Sequence, residues 1–170
     1  MDNFDIDECT VRGPYLHKEC PQKDMKEVHA ESFNHDFKSV TYPDDETYYV
    51  MYKKELVALC SLHNEPPVPL ANGPGKYMYN LCVRKSYRHK GIGELLLNYV
   101  KKMYSVIYIH TETKYPKKYQ RWFVNLGFVK LNKWRQYTEY VHSWKDVTRR
   151  EEVEYSKYYD PIENIIYLTI

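Results

Sequence analysis

The segment Arg88-His89-Lys90-Gly91-Ile92-Gly93 places cations and two glycines directly ahead of a predicted helix. The first N–H groups of a helix have no partners inside the helix, and its N-terminus carries about half a positive charge. Because glycine has no Cβ, an anion can approach these N–H groups closely. The segment therefore indicates a phosphate or diphosphate site. The side chains expected to supply mobile positive charge nearby are Arg84, Lys85, Arg88 and Lys90.

Two other phosphate-binding motifs are excluded by their spacing. The dinucleotide fingerprint requires G-x-G-x-x-G and a P-loop requires G-x-x-x-x-G-K-[ST], and neither occurs in this sequence. A glycine-containing turn with solvated charges remains the alternative interpretation of the hexapeptide taken alone.

Strands and helices alternate around the glycine segment. Helices are predicted from Pro21, from the glycines to about Met103, and from Pro116 to a C-cap at Gly127. The second of these helices carries a predicted apolar face of Ile92, Leu95, Leu96, Tyr99, Val100 and Met103. Strands are predicted over 9–12, 47–53, 56–63, 77–84, 106–111, 128–140 (polar) and 164–170. The second and third of these strands are predicted to form a hairpin around the tight charged turn Lys53-Lys54-Glu55.

The connections add two further expectations. Residues 65–76 are rich in proline and glycine, so they form a loop, and its length indicates that it shapes a site. A long tyrosine-rich loop is predicted over about 133–164. Residues 1–170 then make one domain of the mixed α/β class, with a central mixed, twisted sheet of about six to seven strands flanked by helices.

The wider segment 81–93 resembles motif A of the GCN5-related N-acetyltransferase (GNAT) superfamily, which is [RQ]-x-x-G-x-[GA] after a strand ending in Val. A second match follows one strand and one helix later, where Trp122-Phe123-Val124-Asn125-Leu126-Gly127-Phe128 is similar to the "[LF]-Y-E-K-L-G-F" helix end of that family. The close resemblance covers about residues 77–130, and the order of the elements is also that of the family.

The resemblance implies a fold with splayed fourth and fifth strands and a reaction in which an amine attacks the thioester of acetyl-CoA directly. It implies that the pantetheine arm lies between those strands, beside Leu81, Cys82 and Val83. It also implies that the pyrophosphate takes the N–H groups of Arg88, His89, Lys90, Gly91, Ile92 and Gly93. No metal is expected.

The acceptor amine needs a base, since an alkylammonium of pKa about 10.4 is rarely neutral at pH 7. Many family members have a carboxylate on the fourth strand, whereas residues 77–80 offer none. The candidates are Glu112 and His110, two residues apart on one face of the next strand. A solvated strand end is the equal alternative for this pair.

The tyrosine that the family is proposed to use as the acid aligns with Phe123, which has no proton to donate. Tyr119, one turn earlier, is the candidate replacement. Three alternatives stay open: Tyr119 only packs, no acid is needed, or catalysis is lost. An acyl-enzyme at Cys82 is the weaker alternative to direct transfer, because no activating group is evident beside it.

Composition restricts partners and location. A formal net charge of +2 implies neither nucleic acid nor an acidic membrane. The N-terminus has no secretory signal pattern, no apolar run reaches the ~18–20 residues of a membrane span, and the four cysteines show no CxxC. We therefore expect a cytoplasmic protein with reduced thiols, and a disulfide pair is the alternative. A monomer or a homodimer is expected. Its expected partner is an amine, either a small molecule or a peptide, and nucleic acid is disfavoured.

Aromatic residues near the C-terminus are hypothesised to wall the acceptor site through stacking or cation–π contacts. A surface insertion held by its own tyrosines is the alternative. The residues concerned are Tyr137, Tyr140, Trp144, Tyr155, Tyr158 and Tyr159. A CoA-sensing protein without catalysis and a nucleic-acid-binding domain are the alternative functions.

Overall fold

A computed structural model describes residues 3–33, 42–64, 75–112, 117–134 and 137–143. Within these ranges, no helix has both the length and the apolar run that crossing a bilayer requires. Most of the predicted loop 65–76, the part of 133–164 from 144 onward and the predicted last strand lie outside the described residues. The elements in chain order are β1 (Cys9–Leu16), α1 (Gln22–Ala30), β2 (Glu46–Tyr52), β3 (Glu55–Asn64), β4 (Lys76–Val83), α2 (Ile92–Lys101), β5 (Val106–Glu112), α3 (Lys117–Asn125), β6 (Val129–Trp134) and β7 (Tyr137–Ser143).

The described strands form one seven-stranded sheet in the order β1-β2-β3-β4-β5-β7-β6. All neighbours are antiparallel except β4 and β5, which are parallel. A parallel pair needs a crossover connection, and the chain from β4 to β5 passes through α2. The predicted mixed sheet of six to seven strands, flanked by helices, is confirmed.

Helices cover both faces of the sheet. Leu96 and Val100 of α2 and Phe123 of α3 belong to the larger apolar cluster, together with side chains of the central strands. Met25 and Val28 of α1 belong to a second cluster, together with other side chains of the sheet. Each helix therefore buries one stripe, as expected of helices packed on a sheet.

The predicted hairpin at the front of the chain is confirmed. Strands β2 and β3 pair from Tyr52 opposite Glu55, so Lys53 and Lys54 form the turn between them. Lys53 has a φ of 53°, which is the left-handed conformation that tight hairpin turns require. Strand β1 runs to Leu16, four residues beyond the prediction, with an irregularity after Arg12.

The predicted apolar face of α2 is wrong in part. Tyr99 and Met103 are 36% and 48% exposed, whereas Leu97 is fully buried. Three consecutive leucines at 95–97 cover much of the helix circumference, so their pattern leaves the orientation of the helix undetermined. Packing on the sheet decides that orientation, and the buried stripe runs through Leu96, Leu97 and Val100.

The single polar strand predicted over 128–140 is a hairpin. Strands β6 and β7 pair from Trp134 opposite Tyr137, and β7 lies between β6 and β5. The loop predicted from residue 133 therefore contains a strand, Tyr137–Ser143, that forms part of the sheet. No glycine, proline, asparagine or aspartate stands at 135–136, so the usual turn signal is missing from the sequence.

Candidate functional site

A gap opens in the sheet between β4 and β5. The two strands pair only at Lys76 with Ile107 and at Tyr77 with Tyr108. Beyond these pairs β4 continues to Val83 and β5 to Glu112 without pairing to each other. The predicted splay of the fourth and fifth strands is confirmed, and it leaves main-chain groups on both inner edges available for an extended ligand.

The strand residues predicted to contact the cofactor line this part of the sheet. Leu81, Cys82 and Val83 follow the last β4–β5 pair and are fully buried. Burial raises the pKa of the Cys82 thiol, so it stays protonated near neutral pH. A protonated, covered thiol is a poor nucleophile, which favours direct transfer over an acyl-cysteine intermediate.

The glycine segment turns the chain from β4 into α2. His89 and Gly91 have φ values of 61° and 86°, and Gly91 directly precedes the helix. Gly91 is the N-cap residue, and it has no side chain that could cap the helix. Among the described residues, a Cβ on Gly91 would meet only the Ile6 side chain, at 3.6 Å, so the positive φ, not lack of space, favours glycine here. The first N–H groups of α2 are thus left for an acceptor from outside the helix, and an anion suits them best.

The expectation of mobile cations is wrong for Arg88. Its Nε donates to the Val83 carbonyl at 3.0 Å, and its Nη2 donates to the Glu31 carbonyl at 2.9 Å and to Ser32 Oγ at 3.0 Å. The guanidinium therefore ties the glycine segment to the end of α1. The main-chain N–H of Arg88 donates to the Lys85 carbonyl at 3.4 Å, so an anion would have to compete with that carbonyl for it.

Arg84 is also engaged by protein groups. Its Nε lies 3.1 Å from Glu55, and its terminal nitrogens lie 3.9 Å from Glu27 and 3.9 Å from Glu31. Its side chain is only 16% exposed. These carboxylates compete with any phosphate for this cation, so the backbone N–H groups carry the main case for an anion site.

The Lys90 side chain lines a cavity beside the β2–β3 turn. Its ammonium lies 5.3 Å from the Phe4 ring and 5.8 Å from the Tyr87 ring, within cation–π range. The cavity of about 460 Å³ is beside the β2–β3 turn and not in the β4–β5 gap. We therefore place the candidate cofactor site in the gap, where the strand edges and the helix N-terminus converge.

The predicted catalytic residues occupy β5 and α3. His110 and Glu112 are two and four residues beyond Tyr108 and pair with positions of β7. Tyr119 belongs to the first part of α3. The side chains of His110, Glu112 and Tyr119 lie outside the described part of the chain, so their roles stay predictions.

Phe123 has a structural role. It is fully buried, with ring centroids 5.3 Å from Tyr140, 5.8 Å from Phe128 and 5.1 Å from Trp122. Its position at the end of α3 is set by the helix C-terminus. There Gly127 has a φ of 88°, and the Phe128 N–H donates to the Phe123 carbonyl. The predicted glycine C-cap is confirmed.

One cluster of titratable groups has no local signal in the sequence. Asp45, which the sequence places in an acidic run, is 9% exposed and accepts from the Tyr79 hydroxyl. His63 Nδ1 lies 2.8 Å and 3.0 Å from the two carboxylate oxygens of Asp45. Burial raises the pKa of Tyr79, so the phenol stays protonated. Tyr79 is two residues from the last β4–β5 pair, so the cluster lies close to the start of the gap.

Comparison with known proteins agrees with this geometry. The family profile described as "Acetyltransferase (GNAT) family" matches residues 13–128. The search of curated proteins found no match. Arabidopsis thaliana Naa50 in complex with the bisubstrate analogue CoA-Ac-MVNAL has a similar structure, with a TM-score of 0.62, 20% identity, and coverage of 81% of this chain and 99% of Naa50.

Two bacterial structures have the same fold. The ribosomal-protein-S18-alanine N-acetyltransferase of Escherichia coli gives a TM-score of 0.61 at 9% identity, covering 86% of this chain and 99% of the other. A GNAT family acetyltransferase from Elizabethkingia anophelis with acetyl-CoA bound gives a TM-score of 0.58 at 14% identity, covering 81% and 99%. The profile match covers more than half of the chain, and the strand splay and the helix N-terminus fit it; the chain therefore belongs to the GNAT acetyltransferase family.

Proposed function

We propose that this protein transfers an acetyl group from acetyl-CoA to a primary amine, with both substrates bound at once. The observation that supports this best is the β4–β5 gap, which leads from paired strand ends to the uncapped N-terminus of α2. Acetyl-CoA supplies the acyl group as a thioester. In the transfer the amine nitrogen bonds to the acyl carbon, the carbon–sulfur bond breaks, and the amine gives up a proton.

The residues of this chain fit such a donor. The unpaired inner edges of β4 and β5 suit an extended arm with amide groups, since they present main-chain donors and acceptors. The left-handed residues His89 and Gly91 bring the chain to the start of α2, where a diphosphate meets the helix N–H groups. Leu81, Cys82, Val83 and the segment 88–93 are the proposed contacts.

For the proton, we propose Glu112 with His110 as the base, and Tyr119 as the group that protonates the departing thiolate. A base is worthwhile because each pKa unit between the ammonium and the solution costs about 1.4 kcal/mol. Phe123 has no proton to donate, and its full burial gives it a packing role instead. This supports looking for the acid elsewhere on α3.

Peptide amines are the first acceptors to test. Naa50 was solved with the bisubstrate analogue CoA-Ac-MVNAL, and the Escherichia coli enzyme is an N-acetyltransferase of the alanine of ribosomal protein S18. Polyamines and amino sugars complete the panel, because a likeness at these identities establishes the fold alone.

The first experiment is a thermal shift with acetyl-CoA and CoA. At about 100 times the dissociation constant, a ligand adds roughly 2.7 kcal/mol of stability, which is a clear rise in melting temperature. Gly91→Val is the matched variant, since a β-branched residue disfavours the φ of 86°. We expect a shift for the native protein and a smaller one for the variant. No shift for the native protein would refute the cofactor assignment.

The second experiment is mass spectrometry of acceptor libraries with acetyl-CoA, together with measurement of thiol release. Acetylated products with matching thiol would support the enzyme. A thermal shift without thiol release on any amine would favour a CoA-sensing protein, the second candidate, which the absence of a tyrosine hydroxyl at Phe123 suggests.

The base is tested on an acceptor found in this way. We expect Glu112→Gln to lower turnover, and Glu8→Gln, at an exposed carboxylate, to leave it unchanged. Full turnover of Glu112→Gln across the pH range would remove Glu112 as the base.

A further inference from the structure

Asn80 is a buried polar side chain within the part of β4 that does not pair with β5. The residue is fully buried. Neither its Oδ1 nor its Nδ2 has a hydrogen-bond partner among the residues that the structure describes. Buried carboxamides are normally paired, because burial strips water from both the donor and the acceptor. The Oδ1 and Nδ2 atoms of Asn80 therefore could each form a hydrogen bond with a bound ligand.

The backbone at Asn80 explains part of this choice. Tyr79 pairs with Ser61 and Cys82 pairs with Leu59, so two residues of β4, Asn80 and Leu81, stand opposite one residue of β3. Asn80 has a φ of 55°, as the extra residue of such a bulge often does. Asparagine tolerates this conformation, but glycine adopts it more easily and would bury no polar group. The bulge therefore explains the positive φ of Asn80, but it does not explain why a polar carboxamide is buried there.

The two unpaired polar atoms of Asn80 restrict the chemistry of a ligand that could bind them. Nδ2 needs an acceptor and Oδ1 needs a donor. A phosphate or a thioester offers acceptors only, whereas a secondary amide offers a carbonyl oxygen and an N–H together. The arm of acyl-CoA that is proposed to enter the gap contains two secondary amides.

We propose that the Asn80 carboxamide binds a secondary amide of the pantetheine arm, with Nδ2 donating to its carbonyl and Oδ1 accepting from its N–H. This rests on the proposed function, because it takes acyl-CoA as the ligand of the gap. Asn80 lies three residues past the last β4–β5 pair and one residue before Leu81. Because Asn80 is fully buried in the free protein, the proposal requires the arm to displace the side chains that cover it.

The test compares two ligands on two proteins by calorimetric titration. CoA carries the pantetheine arm, and adenosine 3′,5′-bisphosphate lacks it. Asn80→Gly permits the positive φ and removes the carboxamide together with its Cβ. We expect this variant to bind CoA about tenfold more weakly, as for the loss of one or two ligand hydrogen bonds, and to bind the bisphosphate as the native protein does.

A second measurement uses the native protein, so it does not depend on how the variant folds. In ¹⁵N spectra, the side-chain amide signals assigned to Asn80 should shift on addition of CoA and stay in place with the bisphosphate. Equal CoA affinity of folded Asn80→Gly and native protein, or Asn80 signals that ignore CoA, would overturn the proposal.

Two further outcomes separate the possible causes of failure. Unchanged CoA affinity with a raised KM for the amine would assign Asn80 to the acceptor and overturn the proposal. Absence of CoA binding by the native protein would overturn the proposed function and this inference together. CoA binding by both proteins alike would overturn the inference alone.

Discussion

Replacing Arg88 by lysine keeps the positive charge and removes the planar guanidinium. We expect this change to destabilise the fold more than it weakens cofactor binding. The guanidinium donates to three acceptors at 2.9–3.0 Å, which are Val83 O, Glu31 O and Ser32 Oγ. A lysine ammonium is a compact point charge on a flexible stem, so it cannot reproduce that fork.

The size of the effect follows from these contacts. A net hydrogen bond contributes about 0.5–1.5 kcal/mol, and one to a charged group more. Arg88 is half-buried, and its contact with the Glu31 carbonyl is exposed, so the three bonds together should contribute about 2 kcal/mol. For a chain of this length each kcal/mol changes the melting temperature by about 2–4 °C, so a fall of about 4–8 °C is expected.

Urea unfolding and CoA titration of Arg88→Lys and Arg88→Gln decide between two roles. If Arg88 ties the segment to α1, both variants lose similar stability and bind CoA within about threefold of each other, as expected when the charge itself is not used. Lys85→Gln, at an exposed neighbour, is the control and should change stability by less than about 0.5 kcal/mol. A different result would refute this structural role. If Arg88→Lys is as stable as the native protein and only Arg88→Gln binds CoA more weakly, the charge of Arg88 acts on the phosphates.

Three other perturbations test the packing. Burial raises the pKa of Tyr48 to about 12 and also raises the pKa of Tyr79. Their protonated forms therefore contribute stability that is fully present below the unfolded pKa of about 10 and is lost as pH rises above it. The buried Cys82 thiol, whose unfolded pKa is about 8.5, follows the same rule. The melting temperature should therefore begin to fall above about pH 8.5 and fall further above about pH 10, and a level curve across this range would contradict this. Phe123→Tyr should lower the free energy of unfolding by about 1–3 kcal/mol, because it buries a hydroxyl, and faster thiol release in this variant would contradict the packing role. Gly127→Ala should cost about 1 kcal/mol in urea unfolding through its φ of 88°, whereas Val124→Ala, at a 52% exposed position, should cost less than about 0.5 kcal/mol; equal effects of the two changes would refute the strain argument.

Sequence patterns predicted those elements whose conformation depends on residues close to one another in the chain. The hairpin around Lys53, the strand before the glycines and the helix end at Gly127 each depend on neighbouring residues, and each was predicted from the sequence. The splay of β4 and β5 was implied by family resemblance rather than by the pattern itself. The β6–β7 hairpin was missed because its turn contains none of the usual turn residues.

The charge arrangement could not be predicted in this way. Arg88 meets Glu31 and Ser32 across 57 and 56 residues of sequence, and Tyr79 meets Asp45 across 34. Nothing in the segments themselves indicates these partners, because they depend on how α1 and the start of β2 pack on the sheet. That the Asn80 carboxamide is buried without a hydrogen-bond partner among the described residues likewise cannot be predicted from the sequence, because it depends on the surrounding structure.

The two residue pairs between β4 and β5 make the sheet mechanically uneven. Of the described strands, four stand on one side of this seam and three on the other, and β4 and β5 pair across it only at Lys76–Ile107 and Tyr77–Tyr108. Leu81 of β4 and Ile109 of β5 both belong to the larger apolar cluster, so side-chain packing also joins the two half-sheets. In hydrogen–deuterium exchange the inner edges of the seam should therefore exchange ahead of the outer ladders. A ligand that occupies the gap acts as a missing strand, so it should slow exchange on both edges together and make the two half-sheets unfold as one unit.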